Sequence, residues 1–152
     1  MSTSIFVSLP TTDIERSKAF YTSLGFTINP MFTDDNSACV VVGDNIYFMV
    51  LTREYLGTFT DKQIIDPKTH AQTSIALTRD SRDEVDEVMA KGLAAGGSEP
   101  REAQDLGFMY SRDLEDPDGN LLGFLFMEPA AAEKGPEAYL AEQGAGASSP
   151  SA

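Results

Sequence analysis

The chain has 152 residues and a net charge of −13, with 11 Lys plus Arg against 24 Asp plus Glu, and a single His and a single Cys. That length suits one compact domain or two small modules sharing a core, and leaves no room for a large multidomain enzyme. So negative a surface repels phosphate backbones and anionic lipid, and one His with one Cys supplies neither a disulfide framework nor a zinc finger nor a two-His metal site.

Nucleic acid and membrane are therefore excluded as expected partners. Residues 1–12 lack the basic and long apolar stretches of a signal peptide. The longest apolar run, residues 121–127, is far shorter than the roughly 20 residues that cross a bilayer. One Cys without an export signal predicts a cytoplasmic location.

In chain order, residues 4–9 alternate Ile5, Val7 and Leu9 with Phe6 and Ser8, the pattern of a half-buried strand. Thr12-Asp13-Ile14-Glu15 reads as a capping box opening a helix whose stripe is Ile14, Phe20, Tyr21 and Leu24, ended by Gly25. Extended stretches over 26–33, 37–42 and 45–51 follow, separated by the turn formers Asp34-Asp35-Asn36 and Gly43-Asp44. A helical turn is predicted around residues 53–56, and a polar loop at Asp66-Pro67-Lys68-Thr69.

The second half repeats this order. Residues 73–78 alternate, Ser81-Arg82-Asp83-Glu84 forms a second capping box, and the helix stripe is Val85, Val88, Met89 and Leu93 up to Gly96-Gly97. Extended stretches run over 98–101, 108–114 and 120–127, the last entered through Asp116-Pro117-Asp118-Gly119, a well-specified tight turn. Each half reads βαβββ. The predicted organisation is a first module at 1–51, a linker at 52–72, a second module at 73–127 and a flexible tail at 128–152 with one helical turn at 136–143.

Paired βαβββ modules carrying DIERSKAFYTSLGF (13–26) early and DPDGNLLGF (116–124) late resemble the vicinal oxygen chelate superfamily. Its members include glyoxalase I, bleomycin-resistance proteins, fosfomycin-resistance enzymes and extradiol dioxygenases. The likeness covers residues 5–127, and the stretch from Gly96 to Asn120 is similar to a subgroup labelled predicted lactoylglutathione lyase. The resemblance implies an α+β fold in which two modules form a cup-shaped mixed β-sheet, a homodimer, and a ligand cavity on the concave side.

The resemblance also implies metal ligands at equivalent points of the cavity-facing strands. In this chain those points fall on Phe6, Met49, Ser74 and Gly123. Phenylalanine and glycine side chains have no donor atom, methionine is a soft ligand and serine a weak one for the divalent ions concerned. The expectation is a cup without a cofactor, the alternative being a displaced divalent metal such as Zn, Ni, Fe or Mn.

Strand alternation puts Phe6, Ser8, Tyr47, Met49, Ser74, Ala76, Gly123 and Leu125 on the concave face, as lining of an apolar pocket or as filling of a collapsed one. Tyr110 and Arg112 share a face before the Asp116 turn, and either meet a ligand or lie on the sheet surface. Cys39 lacks a visible base and reads as a buried structural thiol. His70 reads as an exposed loop residue.

The acidic run Asp113, Glu115, Asp116 and Asp118 fails the EF-hand spacing, since Leu121 and Met127 stand where Gly and Glu belong. A solvated hairpin is the expectation there. No hydrolase, NTPase or dinucleotide fingerprint is present in the sequence.

The functional expectation is a cup that binds a small, partly apolar, cation-compatible molecule without a metal. One alternative is a diverged lyase or dioxygenase, using a displaced metal or acid–base chemistry through Glu54, His70, Tyr110 or Glu128. The other is a structural or regulatory dimer with a filled cup. No catalytic residue is assigned.

Overall fold

Each half follows the predicted order. In the computed structural model, which describes residues 2–146, β1 (Ile5–Thr11), α1 (Ile14–Ser23), β2 (Thr27–Asn29), a 3-10 turn at Pro30–Phe32, β3 (Ser37–Gly43) and β4 (Ile46–Thr52) make the first module. The short α2 (Arg53–Leu56) opens the linker. The second module is β5 (Ser74–Thr78), α3 (Arg82–Ala94), β6 (Gln104–Asp105), β7 (Met109–Glu115) and β8 (Leu121–Met127).

Where the sequence predicts a tail with one helical turn, two helices form, α4 (Pro129–Lys134) and α5 (Pro136–Gly146). Ala131 on α4 is buried, and the Glu128 amide donates to the Phe108 carbonyl at 2.8 Å. The part of that tail from 147 to 152 lies outside the described residues.

The strands form two four-stranded sheets with the same internal order, β1-β4-β3-β2 and β5-β8-β7-β6. In each, the first strand runs parallel to the last of its module, and the remaining pairs are antiparallel. One face of each sheet is packed by its helix. Leu9, Val40, Phe48 and Val50 from the first sheet meet Leu77, Leu114, Leu122 and Phe124 from the second in one apolar cluster, with Phe20 and Tyr21 of α1 and Val85 and Met89 of α3. Burying each such large side chain contributes about 1.5–3 kcal/mol, so the shared core binds the modules into one unit.

Leu93, expected on the buried stripe of α3, is exposed, and Gly92 takes the inward place. A Cβ at Gly92 would collide with the Leu114 side chain and press on Leu24, so the missing side chain lets α3 approach both modules closely.

A buried polar junction adds direction to this packing. The acidic turn expected to be solvated is not: Asp116, Asp118 and Asn120 are all buried. Asp118 accepts from the Thr11 hydroxyl at 2.6 Å, the Thr12 amide at 3.0 Å and the Arg16 guanidinium at 2.6 Å. Asp116 accepts from the Tyr21 hydroxyl at 2.7 Å, the Asp118 amide at 3.0 Å and the Asn120 amide at 2.8 Å. The Asn120 side chain in turn donates to the Pro10 carbonyl at 3.1 Å. A carboxylate removed from water needs its lone pairs satisfied, and here the first module supplies donors to the second module's turn.

This junction also corrects the first capping box. The α1 cap is Asp13, which accepts from the Arg16 amide at 3.0 Å. Thr12 is not free to cap, because its hydroxyl donates to Asp118 at 3.1 Å and accepts from the Arg16 side chain at 3.0 Å. Ser81 caps α3 as predicted, accepting from the Glu84 amide at 3.1 Å.

Burial raises the Asp116 carboxyl above its ordinary range against the pull of Tyr21 and Asn120, and burial beside Asp116 raises the Tyr21 phenol well above its own. The phenol is thus held as a donor. Replacing it (Tyr21→Phe) leaves Asp116 one donor short and is expected to cost about 1–3 kcal/mol. Urea denaturation measures this, and an unchanged midpoint would refute a junction role for the bond.

Candidate functional site

The helix-free face of the first sheet carries a cavity of about 490 Å3. Its floor comes from alternate residues of three paired strands: Ser8 pairs with Met49, and Ser37 with Leu51. Two flanking segments wall it.

The first is the 3-10 turn and the loop after it. The Asn29 side chain accepts from the Met31 amide at 3.0 Å, and the Thr33 hydroxyl bonds the Asn29 carbonyl at 2.7 Å and the Cys39 amide at 3.1 Å. So pinned, Met31 and Phe32 stand out from the sheet at 84% and 64% exposure. Asp34 then accepts from the Asn36 amide at 2.8 Å and from the Ser37 amide and hydroxyl at 3.0 and 3.2 Å. These bonds, that from Asn36 first, hold its carboxyl below the usual range.

The second wall is α2 and the residues after it. Thr52 caps the helix by accepting from the Tyr55 amide at 3.2 Å, and the Tyr55 and Phe59 rings meet edge to face at 5.0 Å. The lining is thus apolar through Met31, Phe32, Met49, Leu51, Tyr55 and Phe59, hydroxylic through Ser8, Thr33 and Ser37, and charged at Asp34 alone.

The ten expected pocket residues divide. Phe6, Ser8, Tyr47 and Met49 share the open face of the first sheet, and Ser8 and Met49 line the cavity. Phe6 and Tyr47 lie beside it, stacked at 4.6 Å, with Phe6 59% exposed. Ser74, Ala76, Gly123 and Leu125 share the open face of the second sheet, and none of them lines this cavity.

Tyr110 and Arg112 require a correction. Both pair across from Phe126 and Phe124 on the helix-packed face. Tyr110 donates to Asp86 of α3 at 2.6 Å, and Arg112 binds Glu99 through two nitrogens at 2.8 and 2.9 Å and Asp86 at 2.9 Å. They brace α3 against its sheet. The parity was readable, because Arg112 lies two residues before Leu114, which must face the core. On the open face of β7 stand Ser111 and Asp113 instead, and Asp113 is engaged by Arg101.

The positions where the fold family carries metal ligands do not fit an ion. Phe6 and Gly123 offer no donor, which leaves the soft Met49 thioether and the weak Ser74 hydroxyl, too few and too poor for a divalent ion. Among the described residues, no three His, Cys, Asp or Glu group as a metal centre. Cys39 is 2% exposed, and burial raises its thiol, which suits an inert structural role. His70 is exposed and bonds Thr69 at 2.8 Å. Glu54, His70, Tyr110 and Glu128 share no hydrogen bond with one another among the described residues, so no acid–base pair is assembled from them.

The model for bleomycin resistance protein-like N-terminal domains matches residues 3–43, from β1 through β3. The first module is thus similar to that family, and the whole chain has the paired βαβββ architecture that the sequence resemblance implies. Similar solved structures agree in architecture. A hypothetical protein from S. aureus superposes with a TM-score of 0.70 at 24% identity, over 82% of this chain and 94% of that one. A glyoxalase-related enzyme from Fulvimarina pelagi gives 0.69 at 20% identity, covering 83% and 88%. A glyoxalase/bleomycin resistance protein/dioxygenase family enzyme from Burkholderia phytofirmans PsJN gives 0.64 at 19%, covering 79% and 94%. No curated protein matches the sequence. No helix among the described residues is long and apolar enough to cross a membrane.

Sequence reasoning missed Met31, Phe32, Asp34, Leu51, Tyr55 and Phe59. Two adjacent large apolar residues just before Asp34-Asp35-Asn36 were the available signal for the first three, since a turn-flanking pair of that kind cannot both enter one core.

The Arg112 network carries a pH dependence of definite sign. Tyr110 and Arg112 hold Asp86 below its ordinary range, and Arg112 holds Glu99 below its own. Depressed carboxyl values lend stability above the ordinary carboxylate range, and that stability is lost as the pH falls through the folded values. The melting temperature is therefore expected to fall between pH 6 and pH 3 by more in the parent than in Arg112→Met. Parallel pH profiles would show the network to be energetically idle.

Proposed function

We propose that the protein binds a small, partly apolar, cation-bearing molecule in the first-module cavity, without a metal. The observation that carries this reading is the lining itself: aromatic and thioether walls with one fixed anionic group, Asp34, and no other charge. A cation held between Asp34 and the faces of Phe32, Tyr55 and Phe59 gains both ion pairing and cation–π attraction, each strengthened as water is excluded. The net charge of −13 adds a long-range pull on cations.

The diverged lyase or dioxygenase remains the competing chemistry, but the four ligand positions speak against an ion. The open faces of the two sheets also differ in a way that suits a homodimer. The first is knobbed by Phe6 and Tyr47, whereas the second is floored by Ser74, Ala76 and Gly123. A second copy laying its small-residue face over the first module would cover Phe6, Met31 and Phe32, all more than half exposed in the single chain. It would also roof the cavity.

Thermal-shift screening with aromatic amines is expected to give stabilisation that EDTA leaves unchanged and that Asp34→Asn reduces by severalfold in affinity. Stoichiometric Zn, Ni, Fe or Mn in the purified protein, or hits that vanish with EDTA, would overturn the metal-free reading. In sedimentation velocity the parent is expected to run as a dimer and Phe6→Glu as a monomer. A monomeric parent would remove the second copy from the site.

A further inference from the structure

A second compartment lies at the seam between the modules, under the linker. It has a volume of about 300 Å3 and is bounded by Leu9 and Pro10 of β1, by Asn120 and Leu121 at the start of β8, and by linker residues between 60 and 73. Leu56, the last residue of α2, also lines it, whereas Tyr55 lines the first-module cavity. The helix thus stands between the two spaces, although Ser8 borders both.

Two anchors fix the linker as a roof. The Arg53 guanidinium donates to the carbonyls of Ile64 and Ile65 at 2.6 Å each, which sets those two side chains against the space. The linker also rests on the Asp116–Asn120 turn at Gly119, where a Cβ would lie 2.8 Å from the Pro67 carbonyl carbon and 2.7 Å from the Lys68 amide nitrogen. Gly119 has φ +96°, so both its conformation and its lack of a side chain are used. A compartment held open by fixed walls is a binding feature rather than loose packing.

Its chemistry departs from the rest of the molecule. The chain carries 24 acidic residues, yet none lines this space, and the ionisable groups that do are Lys62 and His70. His70 uses Nδ1 toward the Thr69 hydroxyl at 2.8 Å, and its Nε2 has no protein partner among the described residues. The amides of Gln63 and Gln72 add uncharged hydrogen-bonding groups, and Leu56, Ile64, Ile65 and Leu121 give apolar wall. Within 57–73 two lysines balance two aspartates, so the acidic surplus lies outside the linker.

We infer that this seam compartment is a separate binding site for a small carboxylate with an apolar body, its charge taken by Lys62 and His70 and its body by the leucine and isoleucine walls. The site opposes the first-module cavity in sign: one presents a carboxylate, the other an ammonium and an imidazole. An anion-bearing molecule would be repelled by the general surface and accepted only here.

The full chain, titrated with phenylacetate and with its neutral isostere phenylacetamide, tests the inference by amide chemical shifts and calorimetry. Phenylacetate is expected to bind the more tightly and to move the amides of Ala71, Thr73 and Leu121 rather than those of Met31 to Asp34. Lys62→Gln with His70→Gln is expected to weaken phenylacetate by roughly fivefold, and Ala71→Trp, an exposed linker position, to abolish binding while the circular dichroism spectrum stays intact. Equal affinity for the amide, shifts centred on residues 31–34, or undiminished binding by Ala71→Trp would each overturn it, as would no binding at all.

Discussion

The structure depends on a carboxylate pair that crosses from one module to the other. Asp116 and Asp118 leave water to enter a junction where Thr11, Thr12, Arg16 and Tyr21 donate to them. An apolar core would let the two sheets pack in several relative orientations at similar cost, because dispersion and burial are weakly directional. Buried carboxylates tolerate far fewer, since each lost donor leaves an uncompensated lone pair in a poor solvent. The turn therefore sets the angle at which the second sheet meets the first, and the merged core supplies the energy that the turn directs.

That constraint decides where a ligand can go. The junction ties the end of β1 to the start of β8, which brings Pro10 beside Asn120 and leaves the seam under the linker as a bounded space. The helix-packed faces of both sheets are spent on α1, α3 and the shared core, so the sheet faces left to meet anything else are the open ones. On the first of these the 3-10 turn and α2 rise as walls, and a cavity results. On the second, Ser74, Ala76 and Thr78 lie exposed with small side chains. The modules repeat in topology but not in what they present.

Much of the topology was legible because periodicity reports it directly. Alternation of Ile5, Val7 and Leu9, the stripe through Phe20, Tyr21 and Leu24, and the Gly-terminated helices all appear where the pattern puts them. The site was less legible for identifiable reasons. Charge alone says that Asp116 and Asp118 prefer water, and only the partner donors, about 100 residues away in sequence, reverse this. The face of β7 was available from Leu114, but Tyr110 and Arg112 look equally suited to ligand and to helix. Met31 and Phe32 leave the strand pattern because Pro30 and the Asn29 cap start a 3-10 turn, an event whose trace in the hydrophobic pattern is no more than that adjacent apolar pair. Capping at Asp13 rather than Thr12 has the same origin, a local choice overruled by a distant acceptor.

A cup without an ion must orient its ligand differently from one that holds one. A metal–ligand bond is short and angular, so it fixes a bound group in direction as well as distance. Contacts with aromatic faces and methionine side chains are broad, and by themselves they permit several poses. Direction must then come from a charge that does not move. Asp34 meets that requirement despite its exposure, since three hydrogen bonds from residues 36 and 37 lock its oxygen and hold its carboxyl below the usual range. A freely rotating surface carboxylate would give attraction without a pose, and it would lose much of that attraction to salt. In this fold the loop between β2 and β3, rather than the strands that bear metal ligands in the fold family, is the element able to impose direction on a guest in the first module.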